Sequence, residues 1–157
     1  MFLFMVYVLY PIGYILVNSL YAWDGVNERV FIGFQNYVRM FSDEVFLISL
    51  RNVTYWIFLT IFPQMIIGFT FAYMLNHEIN GRTLIRAIIY MPAIISPVVI
   101  GIVWQRIYNP FGGFLSDLGF RTGLTFLAQP YISDPKMAIF SVIAVNVWQW
   151  SGWSMLL

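Results

Sequence analysis

The sequence predicts an all-α protein that crosses a membrane several times, and three observations carry the prediction. Four stretches, residues 1–22, 52–76, 87–105 and 137–157, contain no Asp, Glu, Lys or Arg, so every charged residue lies outside them. They measure 22, 25, 19 and 21 residues, and about 20 apolar residues rising about 1.5 Å each cover a hydrocarbon layer of roughly 30 Å. Apolar residues make up 61% of the chain and mean hydropathy is +0.77, against roughly 45–50% apolar in soluble domains. Inside lipid no water satisfies backbone N–H and C=O groups, so runs of this length take the helical form. A soluble chain of this size hides only about 70% of its surface and cannot conceal four such helices.

Composition also excludes chemistry. A net charge of +1 gives no electrostatic footprint for nucleic acid. With no cysteine there is no disulfide, thiolate metal site or thiol nucleophile, and the single histidine, His77, falls short of the three or four ligands zinc takes. No G-x-x-x-x-G-K stretch is present to cradle a nucleotide. Proton relays and intramembrane catalysis need ionisable groups within the spans, and the four runs hold none. The chain is therefore expected to be no enzyme and to carry no cofactor or metal. If it moves a solute uphill, another subunit supplies the energy.

The first run contains Pro11 and Gly13, which mark a kink, and ends at Tyr21, Ala22 and Trp23, whose rings suit the headgroup level. It lacks a basic leader and is too long for a signal-peptide core. Residues 23–51 carry an apolar set at Phe31, Phe34, Tyr37, Val38 and Phe41, whose spacing near 3.6 suggests a short helix along the membrane surface. Ser42 or Asp43 then suits an N-cap, with Glu44 favourable in the first turn. From there one helix of about 30 residues can run into the second span, carrying Pro63 and Gln64 within it. The short connection 77–86 predicts that spans two and three are antiparallel neighbours.

Span three, residues 87–105, holds Pro92, Ser96 and Pro97. Two prolines free two sets of carbonyls, which suits either a broken helix lining a pathway or a kinked packing helix. The connection 106–136 opens with the turn residues Asn109, Pro110, Phe111, Gly112 and Gly113. Gly119 and Gly123 have GxxxG spacing but lie outside any span, which rules out the dimerisation reading. Asp134 followed by Pro135 starts the fourth span as N-cap and N1.

In span four, Asn146, Gln149, Trp150 and Trp153 recur at spacings of three and four and so share one helix face. Two amides beside two indole planes offer hydrogen bonds to hydroxyls and flat surfaces for the C–H side of a sugar ring. The other reading of the tryptophans is an interfacial belt, although Trp150 lies about 10 Å in from Leu157 at the helical rise. Charge leaves orientation open. The short loop is densest in arginine, while the long connections carry more basic residues in total.

Several residues occur in the order seen in one family: Pro11; Trp23, Asp24 and Gly25; F-I-G-F-Q-N-Y-V from Phe31; Ser42, Asp43 and Asn52; Gly81, Arg82 and Arg86; Y-M-P-A-I-I-S-P-V-V from Tyr90; Trp104 and Asn109 to Gly112; Ser133, Asp134 and Pro135; and the Asn146, Trp148 pair. In these the chain resembles the carbohydrate-type ABC importer permeases, the group of the maltose, lactose and glycerol-3-phosphate permeases. The resemblance implies a multi-pass subunit of a bacterial inner membrane, with residues 1–157 in one transmembrane permease domain. It implies a second permease subunit, a cytoplasmic ATPase dimer and an extracytoplasmic solute-binding protein as partners. It places the short loop in the cytoplasm and both long connections outside.

The resemblance also puts sugar contacts at or near Asn146, Trp150 and Trp153. Trp150 and Trp153 depart from the maltose-type side chains, which leaves room for a different substrate. The family's Glu-Ala-Ala…Gly docking segment and two further spans would follow Leu157, so residues 1–157 are expected to be a segment that does not transport alone. The readings set beside this one are a permease for glycerol-3-phosphate or another polar solute, and a non-transporting membrane scaffold.

Overall fold

The computed structural model describes residues 1–77 and 79–157, which form two compact units, Met1–Arg51 and Asn52–Leu157. Glu78, in the short connection, lies outside the described residues.

The first unit opens with helix α1, Phe2–Asn18. Within it Met5–Leu9 winds as a π-helix, and the Tyr10 N–H reaches the Met5 carbonyl five residues back. Pro11 explains the wider turn. It has no N–H to donate, and its ring crowds the carbonyl of Tyr7 four residues back, so the turn ahead of it opens. The kink expected at Pro11 takes this form.

Of residues 1–22, Phe2–Asn18 form the helix, a shorter apolar stretch than the charge-free run. The helix stops at Asn18, where Asn18 Nδ2 donates to the Tyr14 carbonyl at 2.7 Å and Ser19 Oγ to the Leu16 carbonyl at 2.6 Å. Side chains that satisfy terminal carbonyls in this way end a helix. Two short strands follow, β1 (Tyr21–Ala22) and β2 (Val30–Phe31), antiparallel with Tyr21 opposite Phe31.

The link between the strands is tightly built. The Asp24 carboxylate accepts from the backbone N–H groups of Asn27 (2.8 Å) and Val26 (3.0 Å) and from the Asn27 side chain (2.6 Å), while Gly25 takes a φ of 90°. Trp23 Nε1 donates to the Asn27 carbonyl. The Arg29 guanidinium lies 4.2 Å from the Trp23 ring centroid and donates to the Tyr14 hydroxyl. The N–H donors of Asn27 and Val26 hold the Asp24 carboxyl below its ordinary value of 3.8, because they favour the charged form. A lowered carboxylate pKa contributes stability above the unfolded value and loses it as pH falls through the folded one. The Asn27 and Val26 amide resonances should therefore hold their shifts at neutral pH and move only below about pH 4, and in Asp24→Asn that acid transition should be gone.

Helix α2, Gln35–Ser42, takes up only Tyr37, Val38 and Phe41 of the apolar set expected there. Phe31 is in β2 and Phe34 is the N-cap residue. Asn36 Nδ2 donates to the carbonyls of Ser19 and Tyr21, and the Tyr37 and Ser19 hydroxyls share a bond of 2.7 Å, tying α2 to the end of α1. Of the two candidate caps for the next helix, Asp43 is the cap. Its carboxylate accepts from the Phe46 N–H at 2.9 Å, while Ser42 Oγ bonds back to the Val38 carbonyl.

Helix α3 then runs unbroken over Glu44–Met74, 31 residues with Pro63 inside. At the helical rise it measures roughly 46 Å. Even tilted by 40° it covers roughly 35 Å, more than the roughly 30 Å of hydrocarbon. It is the one helix long and apolar enough by itself to cross a membrane among the described residues, and most of its surface is exposed.

In the second unit the third charge-free run is divided. Helix α4, Arg82–Ile94, begins five residues before the run, and α5, Pro97–Ile107, follows at 94°. Pro97 makes the break. The residue before a proline is driven to extended backbone, and Ser96 (ψ 132°) and Ile95 (ψ 137°) are both extended. Pro92 remains inside α4.

A short helix that the charge pattern did not predict, α6 (Phe114–Thr122), precedes a 3-10 turn, Thr125–Ala128. Gly123 closes α6 in the left-handed region (φ 75°), and a Cβ on Gly119 would meet the Leu124 carbonyl at 2.9 Å. The two glycines thus serve a C-cap and a close turn. Helix α7, Pro135–Leu156, starts as expected, with the Asp134 carboxylate accepting from the Lys136 N–H at 2.8 Å.

Helix α4 packs along α7, and the Arg86 guanidinium of α4 donates to the Leu75 carbonyl just past the end of α3 at 3.2 Å. Glycines let α7 meet its neighbours. A Cβ on Gly152 would lie 2.3 Å from the Ile89 carbonyl oxygen of α4, and one on Gly68 of α3 would lie 2.7 Å from Ser154 Cβ. Such small-residue contacts bring helix backbones together where hydrophobic burial gives no net drive.

Candidate functional site

The side chains of α7 divide by direction. Ile143, Val147, Ser151 and Met155 are buried, and Ser141 Oγ bonds the carbonyls of Tyr131 and Met137. On the adjoining arc Asn146 and Trp150 are half-buried and Trp153 is 46% exposed. The Trp150 and Trp153 rings meet edge to face, 6.5 Å apart at 79°. Tyr90 of α4 stacks on Trp153 at 6.0 Å and 28°, which makes a platform of three rings.

Three of the four residues expected on the span-four face, Asn146, Trp150 and Trp153, thus share an open side. The fourth, Gln149, is enclosed at 5% exposure, and its Nε2 has no hydrogen-bond partner among the described residues. Spacing placed it within the right arc. Gly152 three residues on draws α4 over that edge of the arc and covers it.

Pro92, Ser96 and Pro97, expected as the helix break, lie within and just after α4. Pro92 is inside α4, two residues past Tyr90, while Ser96 and Pro97 form the break before α5. A cleft of about 220 Å³ lined by Gln105, Tyr108, Asn109, Pro110, Ile132 and Ser133 belongs to the other end of α7, where the Tyr108 hydroxyl donates to the Ser141 carbonyl.

Tyr90, Gln64 and Ser154 were missed as site residues. Tyr90 sits in the Y-M-P-A-I-I-S-P stretch, which drew attention for its prolines. Gln64 and Ser154 are uncharged polar groups within apolar runs, and sequence offers only interhelical bonding for such groups. In the structure Gln64 Nε2 donates to Ser154 Oγ at 2.7 Å and reaches the Trp150 carbonyl at 3.4 Å. The arrangement has neutral amides and ring faces without a charged group on the α7 face, which suits an uncharged, hydroxyl-bearing solute and supplies no nucleophile, acid or base.

The protein is mostly helical and, among the described residues, has one helix long and apolar enough by itself to cross a membrane. No protein-family model matches the sequence. Among known proteins, the probable ABC transporter permease protein YurN of Bacillus subtilis is 32% identical over 157 residues, covering 98% of this chain and 54% of the relative. A probable ABC transporter permease protein of Pyrococcus horikoshii is 29% identical over 153 residues, 97% of this chain and 52% of the relative. The diacetylchitobiose uptake system permease protein NgcF of Streptomyces coelicolor is 28% identical over 162 residues, 93% of this chain and 44% of the relative. Over nearly its whole length the chain is similar to ABC transporter permeases, and it spans about half the length of the curated relatives it matches. These relatives are named as permease proteins of transport systems.

Proposed function

We propose that residues 1–157 contribute to the transmembrane permease domain of an ATP-driven importer and carry part of its path for a neutral saccharide. In this reading both compact units belong to one domain, and the four charge-free runs supply four membrane passes. The passes are α1, α3, the bent α4–α5 pair and α7. A second permease subunit completes the pathway, a separate cytoplasmic ATPase dimer powers it, and an extracytoplasmic binding protein delivers the solute to this inner-membrane, multi-pass protein. The short connection before α4 faces the cytoplasm. Transport proceeds by rocking of helix groups about a site near the midplane, with the Ile95–Ser96 break as a flexing point.

The observation that carries the saccharide reading is the α7 face. The Asn146 side-chain amide and the Trp150 indole N–H make no hydrogen bond among the described residues, and they lie beside stacked rings with no charge in the helix face. The name of the Streptomyces relative, a diacetylchitobiose permease, points the same way.

The test uses the full-length protein in its assembled transporter, with glucose, lactose, maltose and diacetylchitobiose as probes. In Trp150→Ala and Asn146→Ala, uptake of the best-transported probe should fall about tenfold, the equivalent of about 1.4 kcal/mol, and substrate-stimulated ATPase activity should fall with it. Wild-type values in both variants would reduce the face to packing, and no uptake of any neutral probe by the wild type would remove the saccharide.

A further inference from the structure

The turn of α7 that carries Trp150 and Trp153 is held from both sides. On the α4 side the Ile89 carbonyl lies where a Gly152 Cβ would be, and Tyr90 stacks on Trp153. On the α3 side the contact is polar and falls on one residue. Gln64 stands in the interior of the long apolar helix α3, where an amide without a partner costs several kcal/mol by transfer to apolar surroundings, roughly 2–7. Its Nε2 donates to Ser154 Oγ at 2.7 Å and lies 3.4 Å from the Trp150 carbonyl, the carbonyl that an α-helix pairs with the Ser154 N–H. One amide therefore grips both ends of a single helical turn. Gly68, one turn further along the same face of α3, brings the backbones close enough for that grip.

We propose that Gln64 is a positioning residue for the solute face: its bonds to Ser154 and to the Trp150 carbonyl fix the rotation of α7, and so fix where the Trp150 indole and the Asn146 amide point. This rests on the reading of that face given above. Gln64 touches no solute itself. A helix free to turn by even part of the 100° between successive residues would carry Trp150 and Trp153 together out of line with Tyr90 of α4, so Gln64 governs recognition more than helix assembly.

The experiment uses the full-length protein in its assembled transporter, with 5-fluorotryptophan incorporated and the Trp150 resonance assigned by Trp150→Phe. Gln64→Leu, which keeps bulk and removes the donors, should shift or broaden the Trp150 fluorine signal. It should also raise KM for the best-transported probe about tenfold while leaving maximal uptake within about twofold. Ser154→Ala should move both readouts in the same direction, and the double variant should be no worse than Gln64→Leu, as two partners of one bond behave.

An unmoved fluorine signal with unchanged KM in Gln64→Leu, or strictly additive losses in the double variant, would overturn the proposal. If Gln64→Leu does not assemble, Gln64→Met and Ser154→Ala carry the same readouts. The failures are separable. If Trp150→Ala and Asn146→Ala leave transport unchanged, the solute face is wrong. If they impair it and Gln64→Leu changes neither signal nor KM, only the positioning role is wrong.

Discussion

Gly152→Val should be among the most damaging single substitutions in this chain, lowering stability by about 3 kcal/mol. The first atom of any side chain at residue 152 would lie 2.3 Å from the Ile89 carbonyl oxygen, 2.8 Å from the Ile89 carbonyl carbon and 2.8 Å from Tyr90 Cα. All three are backbone atoms, so no rotamer change relieves the clash and α4 must move off α7. Overpacking a filled site costs typically about 1–3 kcal/mol, occasionally more, and immovable contacts put this one at the upper end. Gly101, in the middle of α5, is the control because a Cβ there meets nothing within 4 Å. Gly101→Ala should be neutral or gain up to about 1 kcal/mol from helix propensity. Thermal midpoints of the detergent-purified, assembled transporter measure both. Equal midpoints for Gly152→Val and wild type would mean that α4 and α7 do not pack this closely.

Pro97→Ala should leave the protein folded and cut uptake by at least tenfold. The substitution returns an N–H able to bond the Ala93 carbonyl and frees Ser96 from the extended backbone a following proline imposes. The 94° turn between α4 and α5 then competes with one straight helix. Residues 1–157 hold no cysteine, so Arg82→Cys and Arg106→Cys, with any cysteine elsewhere in the full-length protein replaced by serine, give a pair of spin-label sites. An uninterrupted helix would set their backbones roughly 36 Å apart at the helical rise. The measured distance should be shorter in the otherwise unaltered protein and lengthen toward that value in Pro97→Ala. An unchanged distance together with normal uptake would show that the bend is held by other contacts and that the proline is incidental.

Much of this architecture is readable from the residues, for identifiable reasons. The start of α3 follows from Asp43 and Glu44 ahead of a long uncharged run, and α7 from Asp134 and Pro135, because caps act through their own side chains. The break at Pro97 is equally local. The strands around Asp24 were not foreseen, since two residues per strand are too few for a period-two pattern. Charge boundaries failed at the start of α4. They mark where hydrocarbon would begin, whereas a helix begins where its backbone turns, at Gly81 with its φ of 80°.

The site divides in the same way. Spacing assigns Asn146, Gln149, Trp150 and Trp153 to one arc of α7 but cannot say which edge of the arc a neighbour covers. Only the placement of α4 against Gly152 shows that Gln149 is enclosed while Trp153 stays open. The grip of Gln64 on the turn from Trp150 to Ser154 joins residues 90 positions apart in sequence, and no local pattern encodes it.

The π-helical turn over Met5–Leu9 has a consequence for the length of α1. A turn that reaches back five residues instead of four holds one residue more than an α-helical turn, so it behaves as a one-residue insertion stored within the helix. Each residue rotates an α-helix by about 100°, and this extra one offsets the side chains before Tyr10 from those after it by about that angle. Removing a single residue from Met5–Leu9 would let the turn close to ordinary α geometry with the helix otherwise in phase, provided Pro11 is also replaced. Related chains with and without that residue can therefore present the same outer face while differing in length by one.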